Sequence, residues 1–161
     1  MIPGAFTYHR PDSIDQAIAL LGEFGDDAEI LAGGHSLVPM MKLRLAQPGH
    51  LVDLARISEM RRLDREGEGA IAIGAMVRQA EIIASDLLAE SVPILRETAL
   101  QIADPQVRNM GTIGGNVANG DPGNDMPAVM QALDASFELR GPGGSRRVAA
   151  RSFYEGAFAT A

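Results

Sequence analysis

A chain of 161 residues, 46% apolar and 22% charged, has room for one sizeable domain or for two small lobes sharing a core. The net charge of −7, from 14 basic and 21 acidic side chains without a basic run, points away from a nucleic-acid surface. No apolar stretch is long enough to span a membrane and the N-terminus lacks a signal-peptide pattern, so the cytoplasm is the expected compartment and an integral membrane protein is not expected.

Residues 6–8 read as a short strand leading into Pro11. Ser13 and Gln16 have the spacing of a capping box, and Ile14, Ala17, Ile18 and Leu21 then fall on one helical face, ended by Gly25. Residues 28–31 form the next expected strand and run into Ala32-Gly33-Gly34-His35-Ser36. A helical segment is expected over 37–45, with Pro39 tolerable in its first turn, then a turn at Gln47-Pro48-Gly49 and a strand over 51–54. A helical turn at 57–60 precedes a hairpin, 61–65 with 70–74, around Glu66-Gly67-Glu68-Gly69. Helical periodicity covers 77–84 and 92–103. Residues 104–125, with five Gly, four Asn, three Asp and two Pro, read as one long loop of the kind that is functional or disordered. A helix over 127–133 and a hairpin, 137–140 with 146–149, follow. The reading is α+β, with a lobe boundary near residue 55: 1–55 as the first lobe and 56–161 as the second.

Glycine is the first functional clue. Gly33 and Gly34 stand at the end of a strand and before a helical turn, where backbone N–H groups can face one concave side and a phosphate can approach. A tight strand-to-helix turn with no ligand explains the same residues equally well. Thr112-Ile113-Gly114-Gly115-Asn116 repeats the chemistry: a hydroxyl, two adjacent glycines and an amide side chain. Two such loops suggest two adjacent phosphates held from both sides. The chain has neither a G-x-G-x-x-G opening a helix nor a G-x-x-x-x-G-K-[ST], which disfavours Rossmann and P-loop sites. With no cysteine, and with His9, His35 and His50 widely separated, the chain offers no iron–sulfur or metal-ligand spacing, so any redox chemistry requires an organic cofactor.

AGGHSLVPMMKLR, from Ala32 to Arg44, and TIGGN, from Thr112 to Asn116, resemble the two flavin-binding loops of molybdenum hydroxylase flavoprotein subunits, of the xanthine dehydrogenase and aerobic carbon monoxide dehydrogenase type. Pro3, Phe6, Tyr8, Pro11 and Ala17 near the start, and Arg151-Ser152-Phe153-Tyr154 near the end, share the resemblance, which covers nearly the whole chain. It implies a two-lobed FAD-binding domain of the vanillyl-alcohol oxidase type, ending short of its relatives' last strand and C-terminal domain. It implies non-covalent FAD contacted by Leu31, Ala32, Gly33, Gly34, His35, Ser36 and Leu37, and by Thr112, Ile113, Gly114, Gly115 and Asn116. Ile102 would pack near the cofactor and Asp125 would bind its sugar, although Asp125 could equally cap the following helix. The implied role is electron transfer in an oxidoreductase hetero-oligomer: an iron–sulfur subunit delivers electrons and a molybdopterin-binding subunit oxidises substrate. No general base or nucleophile is expected on this chain, since the cofactor carries the chemistry. A free-standing flavin reductase, and a non-enzymatic scaffold or inactive fragment that kept the fold, are the competing readings. Intact glycines in both loops would argue against the scaffold. Arg108 is expected at the surface or near a phosphate, and Asp104-Pro105 at the end of a helix.

Overall fold

The computed structural model describes residues 2–67 and 69–161. Strand β1 (Thr7–His9) leads to helix α1 (Ile14–Phe24), and β2 (Ala28–Leu31) leads to α2 (Leu37–Lys42) and β3 (His50–Asp53). The three strands form a parallel sheet in the order β1-β3-β2, with Thr7 beside His50 and Ala28 also beside His50. Leu51, Val52 and Asp53 of the central strand are buried in succession, as expected of a strand covered on both faces. α1 closes one face: Ser13 Oγ accepts the Gln16 N–H, and Gly25, at φ 53°, ends the helix. The anticipated capping box is only half made. The Gln16 side chain accepts from the Asp12 N–H, one residue before the cap.

After two 3-10 turns, β4 (Leu63–Glu66) and β5 (Ala70–Ile73) make the expected hairpin; Glu68, in the anticipated turn, lies outside the described residues. Helices α3 (Gln79–Ala84), α4 (Asp86–Ser91) and α5 (Pro93–Gln101) follow. The sequence gives no periodicity for α4, whose single turn and a half is nucleated by Ser85 capping the Leu88 N–H. The expected long loop over 104–125 is instead mostly helical: α6 (Pro105–Met110) and α7 (Ile113–Asn119) fill it, capped by Asp104 and Thr112. Asp104 thus starts a helix rather than merely ending one. Helix α8 (Asp125–Ala132), the hairpin β6 (Ser136–Gly141) with β7 (Gly144–Ala149), and the short pair β8 (Tyr154–Gly156) with β9 (Ala159–Thr160) complete the α+β fold. Several boundaries also move by one to three residues: α2 stops at Lys42 rather than 45, β1 lies one residue later than expected, and α5 stops at Gln101 rather than 103.

The interior falls into two apolar clusters. Ala17, Val52, Leu54, Ile57 and Met76 form one, with Met60 packed against it. Val77, Ile82, Leu88, Leu95, Ile113, Met126 and Phe153 are among the members of the other. A short ladder ties the segment after β5 to the start of α7: Gln79 N–H to Gly111 O (3.0 Å), Ile113 N–H to Val77 O (2.9 Å) and Gly114 N–H to Ala75 O (2.9 Å). Among the described residues no helix is long and apolar enough to cross a membrane.

Candidate functional site

The fold brings the two glycine motifs together. A β-carbon built on Gly33 would lie 2.5 Å from Met110 O, 2.7 Å from Gly111 Cα and 3.0 Å from Thr112 N, so the first loop rests directly on the approach to the second. One on Gly115 would lie 3.4 Å from the Ala32 Cβ. Leu31 ends β2, Leu37 opens α2, and Ala32 to Ser36 span the connection; His35 and Ser36 are exposed and the other five residues half-buried.

The motifs differ in what their backbones can offer. In the first, the Gly34 and Ser36 carbonyls accept from Val38 and Met40. Among the described residues, however, none of the five consecutive N–H groups from Gly33 to Leu37 donates a hydrogen bond. Unpaired donors in a row on a half-exposed turn are available to an anion. In the second motif four of the five N–H groups are taken: Ile113 N–H bonds to Val77 O, Gly114 N–H to Ala75 O, Gly115 N–H to Thr112 Oγ1 (3.1 Å) and Asn116 N–H to Thr112 O (3.0 Å). The sequence suggests equal chemistry for the two loops; the hydrogen bonds give donors to the first and a capped helix to the second. What the second does leave open is Asn116 Oδ1, a buried oxygen with no partner among the described residues. Such an orphaned acceptor carries a desolvation cost until something donates to it.

The glycines also divide by cause. At Gly33 a side chain would strike backbone, and at Gly114 it would meet Ala75 Cβ at 2.4 Å and Ala75 Cα and O at 2.7 Å. Both are therefore required by the protein's own packing, and their presence does not by itself argue for a ligand. Gly34 is required by its φ of 75°, a left-handed conformation.

Ile102 is half-buried just beyond the C-terminus of α5. Asp125 is exposed at the first position of α8, the cap position being Asn124, which makes no side-chain cap bond. Asp125 is therefore not the N-cap of α8. Arg108 is half-buried and not free at the surface: its Nη1 donates toward the carbonyl oxygens of Ile102 (3.0 Å), Ala103 (3.2 Å) and Leu100 (3.4 Å). The sequence holds no signal for that contact. Two open surface grooves, one beside β1 and α1 and one at the β6–β7 turn, involve neither glycine motif. No cluster of three or more potential metal ligands occurs among the described residues.

Comparisons with known proteins bear on this geometry. Residues 4–161 match a family described as the FAD binding domain in molybdopterin dehydrogenase. The carbon monoxide dehydrogenase medium chain of Afipia carboxidovorans is 62% identical over 161 residues, covering 100% of this chain and 56% of that one. The corresponding chain of Hydrogenophaga pseudoflava is 53% identical over 160 residues, covering 99% and 55%. Among solved structures, the Cu,Mo-CO dehydrogenase in its cyanide-inactivated form superposes with a TM-score of 0.98 at 61% identity, covering 100% of this chain and 56% of that one. The chain therefore spans about half the length of the relatives it matches. With residues 4–161, including both glycine motifs, inside the match, the chain belongs to the family of FAD-binding domains of molybdopterin dehydrogenases.

Proposed function

We propose that this chain is the FAD-holding part of an electron-transfer subunit in a molybdenum hydroxylase of the cytoplasm, working beside an iron–sulfur subunit and a molybdopterin-binding subunit in a hetero-oligomer. The observation that carries the reading is the run of five unengaged N–H groups, Gly33 to Leu37, packed against the second glycine motif. In this reading the pyrophosphate lies on those amides, flanked by Leu31 and Ala32. Thr112, Ile113, Gly114, Gly115 and Asn116 form the facing wall, with Asn116 Oδ1 accepting from a donor of the ligand. Ile102 packs beside the flavin, and Asp125, exposed and not the cap residue, accepts from a sugar hydroxyl. Bound FAD supplies reversible two-electron chemistry; the chain's residues bind, orient and shield it.

The same reading takes the fold as two lobes of the vanillyl-alcohol oxidase type, 1–55 and 56–161. The two apolar clusters support it, with Ile57, Met60 and Met76 reaching across to the first. The absence of cysteine supports placing the iron–sulfur clusters on a partner. Titration of the full-length chain with FAD, FMN and ADP, followed by flavin absorbance and fluorescence, tests the proposal. FAD binding tighter than FMN is expected, because only FAD brings the pyrophosphate and second nucleotide half. A folded chain that takes up no FAD, alone or with its partners, would leave the scaffold reading in its place.

A further inference from the structure

We propose that Arg108 is a positioning residue for the flavin site, holding the α5–α6 turn so that two separate walls of that site keep their places. The inference rests on the flavin reading above. α5 ends at Gln101, and the chain then reverses through Ile102, extended, and Ala103 at φ 42°, before Asp104 caps α6. Alanine rarely adopts that left-handed conformation, and the last carbonyls of a helix lack intrahelical partners. Arg108, on α6, reaches back to both problems at once: its Nη1 faces the oxygens of Ile102 at 3.0 Å, Ala103 at 3.2 Å and Leu100 at 3.4 Å. A guanidinium makes charge-assisted bonds to carbonyl oxygens, so a single side chain holds the turn.

The consequence runs along α6. Arg108 N–H is bonded to Asp104 O (3.0 Å) and Gly111 N–H to Val107 O (2.7 Å), which makes the six-residue helix a short strut. At one end of the strut sits Ile102. At the other sits Met110 O, the backbone oxygen on which Gly33 rests. One cation thereby fixes the height of the donor loop and the placement of Ile102 without touching the ligand.

The test uses the full-length chain, with its partners where FAD retention needs them. Hydrogen exchange on the cofactor-free protein reads the coupling: Arg108→Ala is expected to speed exchange at Ile113, Gly114, Val38 and Met40, whose amides are bonded on either side of the contact, and to leave the β6–β7 hairpin unchanged. FAD affinity is expected to fall about tenfold, the scale of one charge-assisted hydrogen bond. The visible circular dichroism of bound flavin should change at saturation. Arg108→Lys, a shorter cation reaching fewer carbonyls, should lie between alanine and wild type in both readouts. Exchange confined to residues 100–108, or unaltered affinity and dichroism, overturns the inference while leaving FAD binding intact. Wild-type protein that takes up no FAD sinks the parent reading and the flavin role of Arg108 together, while the exchange data still decide whether the strut reaches the first loop. Should Arg108→Ala not fold, the lysine variant carries the decision: FAD binding as tight as wild type would overturn the proposal.

Discussion

Gly33 faces the carbonyl oxygen of Met110 so closely that a β-carbon at position 33 would stand 2.5 Å from it. The contact is backbone on backbone, so neither side can rotate away. It joins two motifs nearly eighty residues apart in sequence.

A first prediction separates structural from ligand-facing glycines. Gly33→Ala is expected to destabilise the cofactor-free chain by about 1–3 kcal/mol, the cost of overpacking against unyielding atoms. Gly115→Ala meets only Thr112 Oγ1 at 2.9 Å and Ala32 Cβ at 3.4 Å. It should therefore cost about 1 kcal/mol, less than Gly33→Ala, because only the capping hydroxyl of Thr112 has to give way. Its larger effect should fall on FAD binding. Urea melts of both variants without cofactor, followed by FAD titration, check the order; equal losses of stability would contradict it.

Thr112 is buried, caps α7 and lies in the ladder with residues 75–79. Thr112→Ala removes the acceptor for the Gly115 N–H and should cost about 1 kcal/mol, with Thr112→Ser retaining most of it. Thermal melts of the two variants side by side would reveal the difference.

The chain has two tyrosines and no tryptophan, so alkaline ultraviolet titration reads both phenols directly. Tyr154 is pushed up to about 12 by burial, its hydroxyl having no hydrogen-bond partner among the described residues. Tyr8 is also raised, chiefly by its hydrogen bond to Asp53. A phenol with a raised folded pKa holds its proton more tightly when folded. The stability linked to Tyr154 is thus complete below its ordinary value of 10.0 and is lost as pH rises from there through about 12. Tyr154→Phe should flatten that part of the alkaline stability curve; an unchanged slope would count against the assignment.

Tyr8→Phe removes the donor to Asp53 Oδ2 while Asp53 stays 7% exposed, with the Ala55 N–H on its other oxygen and Arg10 at 3.9 Å. A loss of about 1–2 kcal/mol is expected, from the weakened satisfaction of a buried carboxylate. Equilibrium unfolding at neutral pH measures it.

Much of this architecture is legible in the sequence because local signals agree with tertiary ones. Ser13, Gly25 and the spacing of Ile14, Ala17 and Leu21 fix α1 before any packing is considered, and both long hairpins follow from their turns. The stretch over 104–125 misleads because its composition is that of a loop. Asp104 and Thr112 are the caps that outweigh that composition, and position 114 is a glycine because Ala75 leaves no room for a side chain, not because the chain turns there. The pairing of the glycine motifs was readable from their likeness. Their difference was not, since hydrogen bonds from Ile113 to Val77 and from Gly114 to Ala75 join segments that nothing in the sequence marks as neighbours.

The order β1-β3-β2 also dictates when this sheet can assemble. The two earlier strands pair only with the third, Thr7 and Ala28 both meeting His50, and never with each other. During synthesis, neither can find a partner until residues 50–53 have left the ribosome. Until then α1, closed locally by Ser13 and Gly25, is the structure available to the nascent segment. Non-local parallel pairing of this kind is slow and leaves strand edges open to wrong partners. The arrival of His50 to Asp53 therefore gives both loose strands their partner, and Ile57 and Met76, synthesised later, complete the apolar cluster beneath the sheet. A pause in translation just before those residues would leave both strands without a partner for as long as it lasted.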